Sequence, residues 1–258
     1  MKIAFSGDSF CRDITAAGEV PNTGHILAFP SWPYLVAEEY QGTIIANGLP
    51  GTALFHSYEK LLEYIDDADY IIFCITDPYR LANKYGLSII ANKNRRWTPG
   101  TFSPSKVKRL NHVINQYYTD IISFKWHEVA QKGLLMQIDE LMLQKKKKCI
   151  WFASFDNSMQ GYVPKNGPIG NTELHKISMT ELTNSSMTPD EINNFFGISI
   201  DAVKSHNDSV YSIDRRTRVN HMNEENNNNM ANLIIDIINN DNFTPKEINM
   251  EKYFEILK

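Results

Sequence analysis

Ser9 follows Gly7 and Asp8 at the end of the short apolar run KIAFS, residues 2–6, where a buried strand would turn toward a helix. A serine in that position is either a turn residue or a nucleophile. Three other strand-like or helical segments bring chemistry-bearing residues to their ends. The run TIIA at 43–46 leads into Asn47-Gly48-Leu49-Pro50-Gly51-Thr52, and YIIFCI at 70–75 leads into Thr76-Asp77-Pro78-Tyr79-Arg80. Asn220-His221-Met222-Asn223 precedes the last amphipathic helix, with Asn223 its expected N-cap. A serine, glycine-bearing turns and a histidine in loops are the parts of an acyl-transfer site: a nucleophile, oxyanion donors and a base. Asp77 and Arg80 lie where a strand exits toward that cleft. Arg80 either binds a carboxylate or polar group of a substrate, or pairs with Asp77 to fix the loop.

These residues need a scaffold whose strand ends converge. Besides the three runs above, CIWFAS at 149–154 reads as a fourth buried strand and HKISM at 175–179 as a weaker fifth. Helical spacing of apolar residues marks PYLVAEEY at 33–40, ALFHSYEKLLEYI at 53–65, and one or two extended helices over 105–144 introduced by Ser103 or Ser105. Thr188 and Pro189 open a further helix-start signature at 188–196. Strand and helix in alternation predict a three-layer α/β fold with a largely parallel sheet, in which ligands bind beyond the carboxyl ends of the strands. The chain is read as one domain, residues 1–258, with a loop and helical insertion at about 83–144. That insertion is a lid, an oligomer interface or extra core. Lys145 to Lys148 complement a helix dipole and solvate its exit, and Asn226 to Asn229 occupy the exposed first turns of the last helix, whose buried stripe is Met230, Leu233, Ile234 and Ile237.

With these blocks in order, the chain resembles the SGNH, or GDSL-type, hydrolases. Gly7-Asp8-Ser9 resembles the family's first block, Asn47 to Thr52 the second, and Asn220 to Asn226 the histidine block. The resemblance implies a flavodoxin-like α/β/α fold, here with a five-stranded sheet, and ester-cleaving activity. It implies Ser9 as nucleophile, Gly51 as the oxyanion glycine and His221 as base. The third block is usually G-x-N-D, and Cys74-Ile75-Thr76-Asp77 stands there, so Thr76 takes the place of the side-chain oxyanion donor. Arg218 stands at the usual acidic position of the histidine block. His221 is then oriented by Asp214 or Asp208, or by a backbone carbonyl as a Ser-His dyad, or not productively at all. The implied function is a serine-dependent hydrolase of carboxylic esters, with O-acyl groups on a carbohydrate as a substrate class that family members often take. The alternative is a catalytically inactive binding module on the same fold.

Composition bounds the partners. The chain has 258 residues with 42% hydrophobic and 22% charged residues, as in an ordinary globular protein, and its net charge of -4 gives no electrostatic footprint for nucleic acid. No segment approaches the roughly 18 apolar residues of a membrane span, and Met1 runs straight into a strand, so a cytoplasmic or otherwise non-secreted protein with no membrane partner is expected. Cys11, Cys74 and Cys149 are widely spaced without metal-ligand spacing, and buried free thiols are expected. The mechanism calls for no metal and no cofactor, only a small-molecule or carbohydrate ester, and leaves the oligomeric state open. Of the tryptophans, Trp126 and Trp151 fall in helix and strand patterns that suggest core, whereas Trp97, in a loop, could present a sugar-stacking face. The remaining histidines, His56 among them, are read as structural.

Overall fold

Among the described residues six strands form one sheet in the order β2-β1-β3-β4-β5-β6, every neighbouring pair parallel. They are β1 (Lys2–Gly7), β2 (Thr43–Ala46), β3 (Tyr70–Ile75), β4 (Lys148–Ala153), β5 (Ile169–Gly170) and β6 (Glu247–Ile248). The computed structural model describes residues 1–11, 30–49, 52–80, 104–121, 123–155, 158–174, 176–177, 222 and 224–254, with Ser9 described by its backbone. Helices among them are α1 (Trp32–Glu39), α2 (Leu54–Tyr64), α3 (Pro104–Gln116), α4 (Phe124–Gln144) and α5 (Glu224–Asn239).

The central strands are apolar without interruption because both of their faces are covered. Ile3, Phe5, Ile72, Cys74, Ile150 and Phe152 pack with Trp32 and Val36 of α1 and with Met230, Leu233, Ile234 and Ile237 of α5. On the opposite face Ala4, Ile71, Phe73, Ile75, Cys149 and Trp151 pack with Leu54 and Leu61 of α2 and with Leu135, Ile138 and Met142 of α4. Thus the later part of α4, within the segment read as an insertion, is core on the sheet and serves as the crossover from β3 to β4. All three cysteines are free and buried.

Four expectations are corrected. Among the described residues the sheet has six strands, not five, and within the stretch 175–179 expected as a strand Lys176 and Ile177 have helical backbone, as does Leu174 before it, while His175, Ser178 and Met179 lie outside the described residues. Leu174 and Ile177 are three apart and both fully buried, which is the spacing of a helical turn and not of a strand. The strand beside β4 comes earlier, at Ile169–Gly170. Asn227 also departs from the exposed run expected at 226–229, since it is buried while its neighbours Asn226 and Asn229 are half-buried and Asn228 is exposed. Trp126, expected in the core, is 73% exposed, whereas Trp151 is fully buried. The lysine run holds neighbouring elements: Lys145 pairs with Asp66 at 2.7 Å, Lys148 pairs with Asp241 at 2.5 Å, and Lys147 donates to the Ala68 carbonyl at 3.0 Å.

Candidate active site

Strand order places the site. From β1 the chain goes to β2 on one side and then crosses to β3 on the other, so the carboxyl ends of β1 and β3 flank the topological switch point of the sheet. Register then sets which residues meet there. Gly7 is opposite Cys74, and Ile75 is opposite Ala153, so Asp8, Thr76 and Ser154 emerge side by side from three adjacent strands.

Asp8 is the centre of that convergence and is fully buried. Its Oδ1 accepts from the Phe10 amide at 3.0 Å and from the Ser154 hydroxyl at 3.1 Å. The first bond shapes the 3-10 turn Ser9–Cys11, on which Ser9 sits. Arg80 approaches Oδ2 to 3.8 Å; its guanidinium donates to the Thr52 carbonyl at 3.3 Å and lies 4.9 Å from the centre of the Phe155 ring. Phe155 in turn meets Phe10 edge-on at 5.7 Å. Burial raises the Asp8 carboxyl above its ordinary value, and Arg80 is the strongest influence in the other direction. The Thr76 hydroxyl, 1% exposed as a residue, makes no hydrogen bond of good geometry, yet it lies close enough to the Asp8 carboxylate to favour the ionised form. The Thr76 carbonyl accepts from Gln131 of α4 at 3.3 Å, and the same amide donates to Ser158 at 3.2 Å.

The second turn is stitched to the first. Gly48 donates to the Cys11 carbonyl at 3.2 Å and Leu49 to the Gly7 carbonyl at 3.0 Å, while the Thr52 hydroxyl donates to the Leu49 carbonyl at 2.9 Å. Only glycine fits at two of these points. A Cβ on Gly48 would stand 2.4 Å from the Asp8 carbonyl oxygen, and one on Gly7, whose φ is +128°, would stand 2.0 Å from the Cys74 carbonyl oxygen.

A third segment arrives from the far end of the chain. The Asn227 side chain in α5 donates to the Met222 carbonyl at 2.9 Å and accepts the Trp32 amide at 2.9 Å. The Trp32 indole N–H donates to the Phe10 carbonyl at 2.8 Å. Met222 and Phe10 are therefore tied through two residues, and both are buried in the same core. Met222 follows His221 and Phe10 follows Ser9.

Of the residues expected in the site, Thr76, Asp77 and Arg80 are brought to the switch point with the Ser9 turn. Gly51, His221, Asp214, Asp208, Arg218 and the tryptophan Trp97 lie outside the described residues, as do the helix start at 188–196 and Asn223. The ion pair formed by Arg80 is with Asp8, not the neighbouring Asp77, whose carboxylate accepts the Tyr79 amide at 2.8 Å and closes the turn. Arg80 also lines a cleft of about 390 Å³ between α2 and α4, together with Leu54, His127 and Gln131. Asp8, Ser154, Trp32, Asn227 and Gln131 were not singled out by residue type, since each acts through a contact distant in sequence.

No protein-family model, no curated protein and no solved structure matches this chain. Among the described residues no group of histidine, cysteine and acidic side chains could hold a metal ion, and no helix is long and apolar enough to cross a membrane.

Proposed function

We propose that the chain is a serine-dependent hydrolase of carboxylic esters on a three-layer, flavodoxin-like SGNH-type scaffold. Ser9 is the nucleophile and His221 the base. His221 takes the Ser9 proton as Ser9 attacks the ester carbonyl; the tetrahedral intermediate collapses to the acyl-enzyme as the alcohol leaves with that proton; water, deprotonated by His221, then releases the acid. Backbone amides of Ser9 and Gly51 supply the oxyanion donors. The burial of Thr76 against Asp8 suits it better to holding the Ser9 turn than to meeting an oxyanion. Asp214 is the carboxylate proposed behind His221, and Asp77 and Arg80 are proposed to bound the substrate cleft. O-acyl groups on a carbohydrate are the substrate class this reading favours.

The observation that supports it most is the bridge from Met222 through Asn227 and Trp32 to Phe10, because it ties the neighbour of the candidate base to the neighbour of the candidate nucleophile. The test is hydrolysis of a short-chain aryl ester by wild type and Ser9→Ala. A fall of at least about a thousandfold in the variant is expected; equal rates would refute the reading. A second reading, a non-catalytic binding module on the same scaffold, draws on Thr76 standing where the family carries asparagine, with its hydroxyl turned toward Asp8. It predicts no turnover by either protein.

A further inference from the structure

Between α2 and the β1–β2 edge of the sheet lies a cavity of about 200 Å³. Three buried polar atoms on its lining residues have no hydrogen-bond partner: Nδ1 of His56, the Ser57 hydroxyl and the Tyr64 hydroxyl. Ser57 is 5% and Tyr64 8% exposed, and Ser6, itself buried, stands beside the Tyr64 hydroxyl. A buried polar atom without a partner is costly, and two hydroxyls and a ring nitrogen on residues of one cavity wall point to a ligand that hydrogen-bonds there.

The chemistry of the lining narrows the ligand. Hydroxyl and imidazole groups donate and accept, so they match groups that also do both, which is the property of an alcohol. Ser57 and Tyr64 are seven residues apart on one helix, which separates them by roughly 10 Å along its axis, more than one water molecule spans. Charge gives no preference, because Lys60 and Glu63 in the lining pair with each other at 2.8 Å. Phe5, Ile45 and Leu49 add apolar wall. Hydroxyls together with C–H faces, without net charge, describe a polyol or a sugar ring.

We propose that this cavity binds a small neutral polyhydroxylated molecule of about monosaccharide size through Ser57, Tyr64 and His56. The cavity borders the two turns of the ester reading, since Gly7, Asn47, Leu49 and Thr52 also line it, but every readout below is binding and none needs ester turnover. The probes are glucose, galactose, mannose, ribose, glycerol and myo-inositol, each titrated against the full chain with saturation-transfer NMR. Saturable binding of at least one probe is expected, with intermolecular NOEs to the Tyr64 ring and a loss of about five- to tenfold in affinity in Tyr64→Phe and in Ser57→Ala. Ser57→Ala removes a hydroxyl with no hydrogen-bond partner, and Tyr64→Phe one whose polar neighbour is only the Ser6 hydroxyl, so both variants should fold. The proposal is overturned if no probe saturates up to about 10 mM, meaning water alone fills the cavity. It is equally overturned if a probe binds without contact to Tyr64.

Discussion

At the residue scale, the middle member of the Gly7-Asp8-Ser9 triplet does the holding. Asp8 fixes the turn through the Phe10 amide and is itself held by Ser154 and Arg80. Burial raises its carboxyl above the ordinary value of 3.8, so the folded protein binds that proton more tightly than the unfolded chain. The stability linked to Asp8 is therefore complete below the unfolded value and is lost as pH rises through the folded one. Urea unfolding across that window should show the stability of Asp8→Asn rising relative to wild type with increasing pH; a constant difference would contradict the account. Removing the counter-charge acts in the opposite sense on the pair. Arg80→Met leaves a buried carboxylate uncompensated and should cost about 3 kcal/mol at neutral pH, measured by the same unfolding curves, while moving the Asp8 window upward.

At the scale of elements, the account rests on two turns and one helix cap region meeting beyond the sheet. Gly48→Ala forces a Cβ against the Asp8 carbonyl and the Cys11 sulfur, so it should part the 47–52 turn from the 7–11 turn. A loss of about 2–4 kcal/mol in thermal unfolding is expected, with ester turnover falling further than stability alone explains. Asn227→Ala strands the Trp32 amide and the Met222 carbonyl. It should cost about 2–4 kcal/mol and speed hydrogen exchange at Trp32, whereas a change under about 0.5 kcal/mol would contradict the bridge. β1, β3 and β4 were legible because burial on both faces leaves uninterrupted apolar runs, and the half-buried edge strand β2 through its short run TIIA. β5 and β6 were not, since two residues carry no periodicity, and HKISM imitated a strand although Leu174 and Ile177 are spaced as a helical turn. In the site, Asp77, three residues away, is the one protein partner for Arg80 that the local sequence offers. The sheet register supplies Asp8 instead, 72 positions earlier by number, and no local pattern encodes that meeting. Asn227 reads as one of four alike asparagines until its bond to Trp32, 195 residues away, sets it apart.

At the scale of the molecule, the order β2-β1-β3 decides where function is sought. It opens the sheet at the carboxyl ends of β1 and β3, and the buried polar cluster of Asp8, Thr76, Arg80 and Ser154 lies there. A core has no use for so many polar side chains unless they position something, because each must be satisfied where water is excluded. The account holds that they position Ser9 for His221. The most direct test is to label the full chain with a fluorophosphonate and map the modified residue by peptide mass spectrometry. Stoichiometric modification at Ser9 is predicted, abolished in Ser9→Ala and slowed at least about a thousandfold in His221→Ala; a folded protein that leaves Ser9 unmodified would contradict the central claim.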